Sequence, residues 1–196
     1  MASKLDQAIA RVAIASGREG KAEMMTVAAE VAATLPLKDI AKIPDRWYAA
    51  FSAKKAGASE LQDPWHHLWF EALTEILVQK KQDGLPGLFI LAERSDSTYH
   101  QFVIVRLLRL AAEGIETESI LARLRQRLGT MHCTETRSSV REIVYWKQVD
   151  PKPLELLVPM SEIVCPNSDG DTVGLYIEQM GIELPVHLAR MKEQGR

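Results

Sequence analysis

The residues best suited to chemistry in this chain are a histidine and two glutamates spaced one helical turn apart. His67, Glu71 and Glu75 lie at i, i+4 and i+8 in a segment predicted to be helical, so they share one helical face. A histidine and a carboxylate on consecutive turns can bind one metal ion, but a complete site needs further ligands. Because such pairs are also common on solvated faces, we expect a surface or packing role here, with no metal and no other cofactor.

The two cysteines, Cys133 and Cys165, are too few for a disulfide framework. His132 precedes the first, but the base of a catalytic cysteine normally comes from another part of the fold. In stacked repeats the two turns that hold the cysteines would lie roughly 10 Å apart, beyond the about 7 Å between α-carbons that a disulfide allows. Since phosphate-binding, hydrolase and kinase motifs are also missing from the sequence, we expect free thiols and no enzymatic activity.

Arginines on the second helices of consecutive predicted helical pairs are the strongest candidates for binding. Such helices line one face of a helical solenoid, and a guanidinium binds carboxylate or phosphate through two parallel hydrogen bonds. We expect Trp146 to be exposed, because other apolar residues, Val140, Ile143 and Val144, already supply the inward stripe of its helix. The alternative is that the arginines pair with neighbouring acids in a structural ladder. The predicted partner-binding residues are Arg106, Arg109, Arg137, Arg141 and Trp146, with Asp169, Asp171 and Glu178 at one end.

The elements that position these residues are predicted to be helices, since alternating strand patterns and hairpin turns are scarce. Pro86 and Pro153 open two apolar segments 67 residues apart, and Gly114 and Gly181 close two segments at the same distance. A further helical pair lies between them, which indicates repeats of 33 or 34 residues. The sequence therefore predicts an all-α fold of about ten helices in stacked antiparallel hairpins.

The predicted organisation is one helical-repeat domain over residues 1–196. Residues 1–84 form irregular helical pairs, residues 85–181 form three repeats, and residues 182–196 form a C-terminal tail.

The segment 86–181 resembles HEAT and armadillo-like helical repeats. Those families often carry a Val-Arg pair early in the second helix, and Val105-Arg106 and Val140-Arg141 fit it, 35 residues apart. The third repeat has Val173-Gly174 instead. The resemblance implies an α-solenoid, an architecture that mostly provides binding surfaces.

Composition restricts the function further. Of 196 residues, 46% are hydrophobic and 26% charged, and no uninterrupted apolar stretch is long enough to span a membrane. Without a secretory signal pattern at the N-terminus, we expect a cytoplasmic protein that does not bind membranes. The net charge of −2 gives no overall attraction to nucleic acid. Residues 116–147 carry six basic and four acidic groups, whereas residues 148–196 carry four basic and eight acidic groups.

These features favour a non-catalytic module that binds another protein, for example an immunity or inhibitor protein that neutralises a toxin or an enzyme. The alternative is a nucleic-acid-binding or base-excision protein on a HEAT-like scaffold. A basic concave face with exposed aromatic residues would favour that alternative, and the acidic C-terminal third opposes it.

Overall fold

Helices form the regular structure of this protein in the computed structural model, which describes residues 3–55, 63–94 and 97–193. Within these ranges no strand occurs, and an isolated antiparallel bridge joins Val164 to Thr172. The predicted all-α fold is confirmed. None of the described helices is long and apolar enough to cross a membrane.

The contacts divide the chain into two compact units, which we call the N-terminal unit (Met1–Arg106) and the C-terminal unit (Leu107–Arg196). The division falls inside one helix, α7. The expected single domain, with repeats that begin at residue 85, stays a prediction.

The N-terminal unit contains the first helices of the chain, as the sequence predicts for residues 1–84. They are α1 (Lys4–Glu19), α2 (Lys21–Thr34), α3 (Leu37–Ile40), α4 (Ile43–Lys55), α5 (Asp63–Gln79) and α6 (Leu85–Arg94), followed by α7 (Ser97–Ala112), which continues into the C-terminal unit. A 3₁₀ turn, Lys81–Asp83, connects α5 to α6.

Helix α5 is the centre of the N-terminal unit. Its residues 69–78 are all buried, and they include the polar side chains of Glu71, Thr74 and Glu75. It packs against both α1 and α2, which also pack against each other. The predicted pairing of α1 with α2 is therefore present. Helix α5 packs against this pair although α3 and α4 lie between them in the sequence. The predicted solenoid of stacked hairpins is not confirmed.

The first turn of α1 is fixed by a capping box. The Ser3 hydroxyl accepts a hydrogen bond from the Asp6 amide, and the Asp6 carboxylate accepts one from the Ser3 amide. Arg46 on α4 donates from Nε to the same carboxylate at 2.9 Å. One acid thus caps α1 and links it to α4.

The corner between α5 and α6 leaves no room for a side chain at Gly84. A β-carbon there would lie 1.9 Å from the carbonyl oxygen of Leu77. At Gly87 a β-carbon would approach Cδ2 of the same leucine to 2.9 Å. Glycine lets the chain turn back directly against α5.

The C-terminal unit contains the rest of the helices. They are α8 (Thr117–Leu128), α9 (Cys133–Trp146), α10 (Lys152–Leu157), α11 (Val173–Gln179) and α12 (Leu184–Glu193). Helix α9 packs against α10 and α11, and α11 contacts α12. The apolar segment that Pro153 opens is helical as far as Met160, because α10 passes into a 3₁₀ turn, Val158–Met160, before the 161–172 loop.

Candidate functional site

Helix α9 has two sharply different faces. Its buried residues follow helical spacing and pack into the C-terminal unit: Thr136, Ser139, Val140, Ile143 and Trp146. The opposite stripe is exposed: Thr134, Arg137, Arg141 and Tyr145. Tyr145 is 59% exposed to solvent. We call Arg137, Arg141 and Tyr145 the α9 stripe, because their i, i+4 and i+8 spacing places them on consecutive turns of one face.

The expected exposure of Trp146 is wrong, because its side chain is 0% exposed. Its indole Nε1 donates to Oε1 of Glu142 at 2.9 Å. The guanidinium carbon of Arg109, which is also buried, lies 4.6 Å from the centre of the tryptophan ring. A guanidinium over an aromatic face is held by cation–π attraction, so this pair belongs to the core.

Arg106 is also buried, so the structure corrects its expected place on an exposed surface. It is 0% exposed, and its Nε lies 3.4 Å from Oε2 of Glu75, which is equally buried. Its Nη2 lies 3.8 Å from Oε1 of Glu71. A buried cation requires a nearby anion to offset its lost hydration. Arg106 therefore pairs with acids of α5, whereas the ladder expected from the sequence pairs the arginines with neighbouring acids such as Glu113 and Glu142.

Of the four arginines expected to bind the partner, the structure leaves Arg137 and Arg141 exposed. Neither forms an ion pair with a described residue within 4 Å. Tyr145, which is not among the predicted binding residues, supplies the exposed aromatic ring expected of Trp146. The signal was available in the spacing: Ser139, Ile143 and Trp146 fall at i, i+4 and i+7, an inward stripe that leaves Tyr145 outward.

A cavity of about 440 Å³ opens at the N-terminal end of α9. Its lining residues come from α9, α11 and the 161–172 loop: Cys133, Thr134, Arg137, Asp171, Tyr176 and Gln179. The Tyr176 hydroxyl donates to Oδ2 of Asp171 at 3.0 Å. Burial and this hydrogen bond both raise the pKa of Tyr176. The structure thus brings Asp171 and Arg137 to one cavity, while the other two expected acids, Asp169 and Glu178, are exposed and do not line it.

Both cysteines are free thiols. Cys133 is half-buried, and its Sγ donates to the carbonyl oxygen of Asn167 at 3.3 Å. Its sulfur also lies 3.7 Å from Nδ1 of His132, so these adjacent side chains are in contact. That nitrogen accepts a hydrogen bond from the Thr134 amide and caps α9. The histidine therefore has a structural task at this position.

The helical face of His67, Glu71 and Glu75 is engaged in packing and ion pairs. The His67 ring stacks on Tyr99 at 5.2 Å between centroids. Glu71 Oε1 lies 3.1 Å from Lys21 Nζ, and both glutamates contact Arg106. In the described ranges, no group of three or more histidine, cysteine, aspartate or glutamate residues is arranged to hold a metal ion.

Comparison with known proteins gives no assignment, since no protein-family profile, curated protein or solved structure matches this chain. The functional argument therefore starts from the surface of the C-terminal unit.

Proposed function

We propose that this chain is a non-catalytic protein-binding module that contacts its partner through the α9 stripe, Arg137, Arg141 and Tyr145. The observation that supports the proposal most directly is the exposure of all three side chains on one face, with neither arginine ion-paired to a described residue. Arginine and tyrosine are among the residue types that supply most binding energy at protein interfaces, since they combine large contact area with directed hydrogen bonds.

The α9 stripe is also mounted on a fixed element. Ile143 and Trp146, on the reverse face of α9, are fully buried, and His132 caps the helix. A rigid helix presents its side chains at nearly constant spacing, which reduces the entropy lost on association. The charged residues of the adjoining cavity, Asp171 and Arg137, would affect the association rate more than the final affinity.

An immunity or inhibitor protein that neutralises a toxin or an enzyme is the specific form that we propose. Its support is general: a chain of 196 residues with net charge −2, and an exposed binding face with no metal cluster among the described residues. The nucleic-acid alternative loses support because Arg106, Arg109 and Trp146, expected in a basic groove, are buried. Cytoplasmic residence stays a prediction.

The test is capture of partners from the native host by the full-length protein, followed by mass spectrometry. Arg141→Glu should lose a specific partner, and Lys38→Glu, an equal charge reversal at an exposed site of the N-terminal unit, should retain it. The product of the adjacent gene should be tested directly as a candidate toxin. If no protein is captured, or if both variants capture the same proteins as the wild type, the proposed function through this face is wrong.

A further inference from the structure

The surface along α9 changes character from one end to the other. At its N-terminal end Asp171 lines the cavity that Arg137 also borders. Two cations without described ion partners, Arg137 and Arg141, occupy the middle. Tyr145 follows near the end of α9, and Val149, with 40% of its surface exposed, lies in the turn after the helix. The order along the helix is therefore acidic, cationic and apolar.

We propose that the partner presents an acidic segment to this surface: two carboxylates about one helical turn apart, followed by an apolar or aromatic side chain. This inference rests on the proposed function and names the chemistry of the partner. Charge complementarity carries it, since the two guanidinium groups, neither ion-paired to a described residue, can each donate two parallel hydrogen bonds to a carboxylate.

The dimensions of the surface fit such a segment. Side chains at i and i+4 are about 6 Å apart, so two carboxylates on consecutive helical turns of a partner match Arg137 and Arg141. Eight residues of helix rise about 12 Å, so the surface from Arg137 to Tyr145 accommodates a segment of roughly two turns.

Asp171 sets the direction in which the segment lies. A carboxylate placed deep in the cavity would meet the Asp171 side chain, and like charges at short range repel. The acidic groups of the partner therefore lie over Arg137 and Arg141, and the apolar group lies over Tyr145. The order of acidic, cationic and apolar groups on this surface thus selects the charge of the bound segment and the direction in which it lies.

The experiment is selection of a displayed random peptide library on the full-length protein. Three variants are selected in parallel: Arg137→Glu/Arg141→Glu, Tyr145→Ala, and a control, Lys38→Glu/Lys42→Glu, that reverses two exposed charges in the N-terminal unit. Circular dichroism confirms that each variant is folded. Arg137→Gln/Arg141→Gln replaces the charge reversal if that variant does not fold.

The wild type and the control should enrich peptides with paired acids followed by an apolar residue. Affinity of the best peptide should fall on the order of tenfold in the double reversal, and binding should weaken with added salt. Tyr145→Ala should keep the acidic preference and lose the apolar one.

Three results would overturn the inference: no enrichment by the wild type, enriched peptides without acids, or equal binding to the double reversal. Competition by a single-stranded or duplex oligonucleotide at the same face would assign the surface to nucleic acid instead. A native partner that depends on Arg141 but contacts it without carboxylates would leave the proposed function intact and refute only this inference.

Discussion

The guanidinium carbon of Arg109 lies 4.6 Å from the centre of the Trp146 ring, and both side chains are buried in the C-terminal unit. Two residue types usually associated with binding surfaces thus support the interior instead. The neighbouring positions, Arg141 and Tyr145, carry the same chemistry on the outside of α9. Helix α9 therefore presents Trp146 to the core, where it pairs with Arg109, and presents Arg141 and Tyr145 to the outside.

Trp146→Ala should lower the free energy of unfolding by about 3–5 kcal/mol, because it removes a large core side chain and leaves a cavity. Tyr145→Ala is the matched control one residue away. Because its ring is exposed, this substitution should change the free energy of unfolding by roughly 0.5 kcal/mol or less. Urea denaturation followed by circular dichroism measures both. Equal effects of the two substitutions would show that α9 is rotated from its described orientation.

Glu75→Gln should destabilise the N-terminal unit by about 3–5 kcal/mol, since it leaves the buried Arg106 without its closest anion. Replacing both residues by methionine should recover much of this loss, because the volume stays apolar and no charge is buried alone. A double-mutant cycle, with the free energies of unfolding measured in urea, gives the coupling energy between Glu75 and Arg106. An additive cycle would mean that Glu71 alone balances Arg106.

Asp6 should make stability depend on pH at the acidic end. Burial alone would raise the pKa of this carboxyl, but hydrogen bonds from Arg46 and Ser3 and the charge of Arg46 outweigh it, so the pKa is lowered from 3.8. The ionised carboxylate therefore stabilises the fold above pH 3.8, and its contribution is lost as pH falls through the lower, folded pKa.

The measurement is the melting temperature of Asp6→Asn against that of the wild type across this pH range. Asp6→Asn should be less stable at neutral pH, and the difference should shrink on acidification. Asp45→Asn, at an exposed position with a long contact to Arg94, should show little difference at any pH. A constant gap for Asp6→Asn would exclude ionisation as the cause.

Thiol labelling should distinguish the two cysteines. Cys133 is half-buried and lines a cavity, whereas Cys165 is 1% exposed and burial raises its pKa. Since the thiolate is the reactive form, iodoacetamide should modify Cys133 first and Cys165 only after unfolding. Mass mapping identifies the sites, and Cys133→Ser should leave the native protein nearly unlabelled. We also expect that variant to bind its partner normally.

Much of the helical order was predictable because glycine and proline punctuate this chain clearly. Helix α2 ends at Thr34, two residues before Pro36, and α8 ends at Leu128, directly before Gly129. The arrangement of the helices was less accessible. The packing of α5 against both α1 and α2 depends on long-range burial of residues 69–78, and local spacing carries no information about which helix covers them.

The candidate site was predictable in residue type and partly in position. Arg137 and Arg141 are exposed as expected, and their i, i+4 spacing places them on one face. Arg106 and Arg109 were misplaced because arginine is usually exposed, and only the tertiary structure provides the buried partners Glu75 and Trp146. A rule based on residue type cannot anticipate an ion pair or ring contact formed between separate helices.

The corner at Gly84 restricts which residues this position can hold in any relative with the same fold. A β-carbon at this position would collide with the Leu77 carbonyl, so a divergent homologue that keeps the corner must keep glycine there. The charges at Glu75 and Arg106 are expected to be exchanged or lost together during evolution, because either one alone is costly in the interior. A relative that keeps both the corner and this ion pair is therefore expected to have a glycine nine residues after the glutamate and 22 before the arginine.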